Sequence, residues 1–138
     1  MTAAFPITIY HNPACGTSRN TLAMIQAAGY TPHIVEYLKT GWTRDLLNTL
    51  LAAMALQPRD ILREKGTPAA ELGLLDPATP RDRLLDMMLE HPILVNRPIV
   101  VTPKGTKLTR PSELVLPLLG NQPASFTKED GEVVIPPN

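Results

Sequence analysis

Near its start the chain changes from a period of two to a helical period within one short turn, and its only cysteine lies in that turn. Ile7 and Ile9 alternate with polar residues, so Phe5 to His11 reads as a strand. Leu22 to Ala28 carries helical spacing, and Gly29 is a plausible stop. Between them, Asn12-Pro13-Ala14-Cys15-Gly16-Thr17 has the composition of a loop. His33 to Leu38, with Ile34, Val35 and Tyr37, reads as a second strand. A strand, a helix and a strand in this order form a βαβ unit with parallel strands. The cysteine then sits at a helix N-terminus, where unpaired N–H groups and the positive end of the helix dipole favour an anion. A thiol there should ionise below the ~8.5 of a free cysteine, and the same N–H groups can hold an oxyanion.

Beyond Thr40-Gly41, Thr43 is placed to cap a helix with Leu46, Leu47, Leu50, Leu51 and Met54 on one face. Pro58 suits the first turn of a short helix from Arg59 to about Lys65. Gly66 to Pro80 reads as surface loop. Thr79-Pro80-Arg81-Asp82 starts another helix, buried through Leu84, Leu85, Met88 and Leu89 and stopped at His91-Pro92. Asn96 to Thr102 reads as a strand, Pro103-Lys104-Gly105 as a turn, and Thr106 to Thr109 as the partner strand. Pro111-Ser112-Glu113 opens a last helix, Leu114 to Leu119, that Pro117 should kink or shorten. From Gly120 onward the chain reads as loosely structured. There is no internal repeat, so 1–138 is expected to be a single domain. The element order implies an α/β sandwich: a mixed, roughly four-stranded sheet with flanking helices and a helical insertion between the second and third strands.

Composition narrows the function. The 138 residues carry 13 basic and 13 acidic side chains, a formal net charge of zero, so nothing global points to nucleic acid or an anionic membrane. With one cysteine the chain has no internal disulfide, and no signal-like or membrane-spanning segment is evident; a reducing, cytoplasmic setting is expected. Arginine outnumbers lysine eight to five, and arginine is the better grip on a planar, multi-oxygen anion.

Local context limits what the thiol can do. A buried structural cysteine is the bland alternative, but turn residues surround Cys15. A dithiol oxidoreductase needs a second cysteine where Ser18 stands. A cysteine phosphatase loop needs an arginine where Thr21 stands. No grouping of thiols and imidazoles suggests zinc. Any oxidised intermediate on Cys15 must therefore be resolved by a thiol from outside. His11, at the end of the first strand, is a candidate either to lower the thiol pKa when protonated or to tie down the loop. Ser18 is a candidate helix cap or a donor to the thiolate, and Arg19 a candidate positive charge beside it. Arg63 follows Ile61-Leu62, Arg97 directly precedes Pro98 at the third strand, and Arg110 directly precedes Pro111 after the fourth. Each alone would be an ordinary surface charge; together they would suit a tetrahedral oxyanion.

The run from Ile7 to Leu22, ITIYHNPACGTSRNTL, closely resembles the active-site loop of the glutaredoxin-coupled arsenate reductases. His91 to Pro103, HPILVNRPIVVTP, resembles their second hallmark. Arg110-Pro111-Ser112-Glu113 and Phe126 to Glu132 match further on. The resemblance implies a thioredoxin-like fold, in which the proline before the third strand is cis and faces the thiol. It implies reduction of arsenate to arsenite, with arsenic resistance as the consequence. Cys15 would be the nucleophile, His11 its activator, and Arg63, Arg97 and Arg110 would bind the anion; Ser18 and Arg19 join them as candidate binding residues from their place beside the thiol. Glutathione would be the co-substrate and glutaredoxin the partner, with no bound cofactor, metal, nucleic acid or membrane.

The sequence departs from that pattern at three places. Thr109 stands where some members carry a further cysteine, Pro117 interrupts the last helix, and the chain ends Ile135-Pro136-Pro137-Asn138 rather than in a basic helical tail. Two other classes stay open at this point. One is a non-catalytic thioredoxin-like regulator that binds a protein such as RNA polymerase. The other is a glutathione-dependent thiol transferase, which would need Cys15 but not three arginines.

Overall fold

A computed structural model describes residues 4–136. They divide into two compact units, one built from the residues up to Glu36 with those from Arg97 onward, the other from Tyr37–Asn96.

The first unit holds a four-stranded sheet of β1 (Thr8–His11), β2 (His33–Glu36), β3 (Ile99–Thr102) and β4 (Gly105–Leu108), in the order β2-β1-β3-β4. β1 and β2 run parallel, with Ile9 opposite Ile34. β1 and β3 are antiparallel, with Ile9 opposite Val100, and β3 continues into the β3–β4 hairpin. Helix α1 (Gly16–Ala27) makes the parallel crossover, and Gly29 follows it at φ +97°, the left-handed geometry glycine accepts freely. A 3-10 stretch, Ser112–Leu118, packs against α1. The expected mixed α/β sheet with flanking helices is present.

The core of this unit follows the two periodicities. Ile7 and Ile9 project to one face of β1, and they pack with Met24 and Ile25 of α1, Val100 of β3, and Val115, Leu116, Leu118 and Leu119. His11 is next in the Ile7–Ile9 alternation, so the pleat carries its imidazole into the same buried layer; it is 5% exposed. A histidine at the end of an apolar strand face is thereby forced to find a polar partner inside.

The second unit contains α2 (Tyr37–Thr40), α3 (Arg44–Met54) and α4 (Arg81–Glu90), with 3-10 turns at Pro58–Ile61 and Pro92–Leu94. Thr43 caps α3 as expected, its hydroxyl accepting from the Leu46 N–H at 3.1 Å. α4 packs on α3 and on both 3-10 turns, burying Leu84, Leu85 and Met88. Tyr37 stacks on Trp42 with ring centroids 5.0 Å apart and donates to the Val95 carbonyl.

Four expectations need correction. The second strand ends at Glu36, because Tyr37 to Thr40 forms a helical turn that buries Tyr37. The helix expected over Arg59 to Lys65 is a single 3-10 turn, after which Leu62 pairs with Val95 as an isolated bridge. The last helix is 3-10 rather than α; Pro117 inside it has no N–H to donate. Residues beyond Gly120, expected to be loosely structured, include an antiparallel hairpin of β5 (Phe126–Thr127) and β6 (Val133–Val134).

Ile9 is fully buried at the centre of the sheet. Ile9→Ala should cost about 3 kcal/mol, in the range for large-to-small core changes. Urea unfolding measures it, and a loss under about 1 kcal/mol would contradict this packing.

Candidate active site

The site grows from the junction of β1 and α1. Asn12 turns the chain: its side-chain Oδ1 accepts from the Ala14 N–H at 2.9 Å, and its carbonyl accepts from the Cys15 N–H at 3.0 Å. That two-sided turn delivers Cys15 to the N-cap of α1 in extended conformation, φ −101° and ψ 123°, with no side-chain cap bond. The thiol is therefore not spent on capping and stands where the first N–H groups of the helix point. It is buried, at 8% exposed.

Three groups of this unit converge on the sulfur. Arg110 donates to it, and the Ser18 backbone N–H and the Arg97 guanidinium stand close enough to lower its pKa. Arg110 Nη1 lies 3.7 Å from Sγ and also donates to the Arg97 carbonyl at 2.9 Å. Arg97 is itself buried, 9% exposed. Burial pushes the thiol up; the Ser18 N–H, the Arg97 and Arg110 hydrogen bonds and the Arg97 charge outweigh it and bring the pKa from 9.0 to about 7. The thiol is then about half ionised near neutrality.

Both arginines directly precede prolines, and the Arg97–Pro98 and Arg110–Pro111 bonds are cis. The first of these matches the proline expected before the third strand. Thr109, where some relatives of the resembled family carry cysteine, is fully buried, and its backbone N–H donates to the Pro98 carbonyl at 2.9 Å.

His11 and Ser18 form a second layer beneath the loop. His11 Nδ1 and Ser18 Oγ share a 2.6 Å hydrogen bond, and Ser18 Oγ accepts from the Asn12 N–H at 3.1 Å. Burial lowers the His11 pKa, opposed by the Glu36 charge and aided by Arg19. The imidazole is then neutral at pH 7, and the tautomer protonated at Nε2 lets Nδ1 accept the Ser18 hydroxyl proton. This arrangement supports the loop-orienting role for His11 over activation of the thiol by its charge. Ser18 is not a cap, since α1 begins two residues earlier; its hydroxyl serves His11 and its backbone N–H serves the thiol.

Arg19 turns its guanidinium to Glu129 and to the Pro13 carbonyl. Arg63 lies in the second unit, donating to the Lys65 carbonyl and to Asn96 Oδ1, each at 3.1 Å. The first unit thus brings together His11, Cys15, Ser18, Arg97 and Arg110. Sequence reasoning passed over Asn12; its signal was the Asn-Pro pair, a turn initiator whose side chain bonds its own backbone two residues on. Among the described residues, no three His, Cys, Asp or Glu side chains group as a metal site, and no helix is long and apolar enough to cross a membrane.

The fold is that of a thioredoxin-like protein, with its single cysteine at the head of α1. The pattern of the ArsC family matches residues 10–118, and the chain belongs to that family. An arsenate reductase of Rhizobium meliloti is 60% identical over 130 residues, covering 94% of this chain and 93% of that protein. The arsenate reductase of Escherichia coli K12 is 58% identical over 130 residues, covering 94% and 92%. The solved structure of an arsenate reductase from Vibrio cholerae superposes with a TM-score of 0.80 at 38% identity, covering 85% of this chain and all of that one.

A folded-state pKa of about 7 against the ordinary 9.0 makes stability depend on pH through Cys15. For an acid whose pKa falls on folding, the gain is absent below pH 7, grows between 7 and 9, and is complete above 9, reaching a few kcal/mol at most. The unfolding free energy of the wild type relative to Cys15→Ser should therefore rise over that window. A difference flat from pH 6 to 10 would contradict the depressed pKa.

Proposed function

We propose that this protein reduces arsenate to arsenite, with Cys15 as nucleophile. The observation that carries the reading is the Cys15 thiolate faced by two guanidiniums, Arg97 and Arg110, at the N-terminus of α1. Membership of the ArsC family and two arsenate reductases near 60% identity support it.

In the reaction, the Cys15 thiolate attacks arsenic and one arsenate oxygen leaves as water after taking up protons. A covalent Cys15–S–As(V) adduct forms. The guanidiniums that hold the thiolate before attack are beside the oxyanion afterwards, and bidentate arginine contact suits its oxygens. A glutathione thiolate then attacks the Cys15 sulfur. The S–As electron pair stays on arsenic, which leaves as arsenite, while the two sulfurs become a mixed disulfide. Glutaredoxin takes the glutathione sulfur and returns Cys15 as thiolate. An external resolving thiol is required because Cys15 is the only cysteine. His11 and Ser18 hold the loop in register, and Arg63 is assigned to the anion on the resemblance alone. The setting is the reducing cytoplasm, with no bound cofactor, and the whole chain works as one domain.

The test is arsenate-dependent NADPH oxidation in a mixture with glutathione, glutathione reductase and glutaredoxin. Wild type should turn over and Cys15→Ser should not. Arg97→Lys should lose about tenfold or more in kcat/KM, since a point charge does not reproduce a planar fork. Full activity in Cys15→Ser would overturn the mechanism. Turnover of a glutathione mixed disulfide without arsenate activity would instead identify a thiol transferase.

A further inference from the structure

One set of contacts beside the nucleophile has no part in the chemistry above. Arg19 follows Cys15 by one helical turn, and its backbone N–H donates to the Cys15 carbonyl at 2.9 Å. Its Nη1 donates to the Pro13 carbonyl, also at 2.9 Å. Arg19 thus grips the chain on both sides of the Pro13–Cys15 segment. The other edge of the guanidinium meets Glu129 in a two-pronged contact, Nε to Oε2 at 2.8 Å and Nη2 to Oε1 at 2.9 Å. The Glu129 backbone N–H reaches the same helix, donating to Asn20 Oδ1 at 3.0 Å.

Glu129 sits in the turn between β5 and β6, and that hairpin has footing independent of Glu129. Phe126 and Val134 pack against the core of the first unit. The turn is closed by Lys128 N–H to the Glu132 carbonyl at 2.8 Å. The Lys128 side chain, 9% exposed, bridges Glu113 at 2.9 Å and Glu132 at 3.3 Å. Glu113 lies three residues beyond Arg110, in the 3-10 stretch that follows it. The hairpin therefore stands on the segment carrying Arg110 and reaches, through Glu129, to the loop carrying Cys15.

We infer that Glu129 is a positioning residue: it fixes the Arg19 guanidinium, and through it the Pro13–Cys15 segment, so that the thiol stays aimed at Arg97 and Arg110. An exposed ion pair adds little to global stability, and here the pair acts on aim rather than on folding. A planar fork held on both edges is the geometry that transmits orientation. The inference rests on Cys15 being the nucleophile, but its readout does not require arsenate.

The experiment is the rate of Cys15 alkylation by iodoacetamide against pH, for wild type, Glu129→Gln, Arg19→Lys and the double variant. Label uptake reports this one thiol because the chain has no other. Both single variants should raise the thiol midpoint by about 0.5–1 unit, seen well below the midpoint as roughly three- to tenfold slower alkylation. The double variant should be no worse than either single, since both break one linkage. Thermal midpoints should stay within a few degrees of wild type. A midpoint in Glu129→Gln that is unchanged or lower would overturn the inference. Lowering is what removal of a nearby negative charge does on its own. Additive shifts in the double variant would overturn it too. A wild type that alkylates as described but does not reduce arsenate contradicts the proposed reaction and leaves the Glu129 assignment standing.

Discussion

The placement of Cys15 at the N-cap of α1, where the Ser18 backbone N–H and two guanidiniums lower its pKa, is the constraint on which the rest of the site depends. It exists because a β-strand ends, turns through one Asn-Pro, and starts a helix with the cysteine at the N-cap. The parallel crossover then fixes the direction of α1 over the sheet, and the Ile7–Ile9 face fixes its height. Two arginines complete what the N–H begins. Neither the helix nor a guanidinium has to overcome the desolvation of a buried thiolate alone; three donors share it.

Proline placement organises the arginines. Arg97 and Arg110 each stand directly before a proline, one at the start of β3 and one after β4, and the two strands are hydrogen-bonded neighbours. The antiparallel pairing that sets Ile99 opposite Leu108 therefore brings the Arg110 guanidinium to the Arg97 backbone thirteen residues earlier, where it donates to the Arg97 carbonyl at 2.9 Å. Thr109, bonded to the Pro98 carbonyl, closes the end of that ladder. In this chain the position is a packing threonine, and Cys15 is the one sulfhydryl.

Much of this was legible in the sequence, for identifiable reasons. The βαβ opening, the Thr43 cap and the β3–β4 hairpin are written in strong local signals: period, cap residue and turn residue agree. Cys15, His11, Ser18, Arg97 and Arg110 stood out because turn chemistry and strand ends mark where function is presented. What was missed lies where tertiary context wins. Tyr37 looked like a strand residue, yet its burial and stacking on Trp42 bend the chain into a helical turn. The segment after Gly120 reads as loosely structured because two-residue strands leave no period to detect. Its order comes from Phe126 and Val134 on the core and from Lys128, whose partner Glu113 lies outside the segment. Ser18 is a fitting cap by residue type, but α1 begins at Gly16, and the buried imidazole of His11 takes its hydroxyl instead.

The central claim is that the fold holds Cys15 as a thiolate near neutral pH. Thiolate absorbance near 240 nm, titrated in wild type and corrected with Cys15→Ser, reads that ionisation without any substrate. A midpoint close to 7 is the expected result. A midpoint at or above 9, the range of an ordinary thiol, would contradict the account of how the helix terminus and the two arginines act on the sulfur.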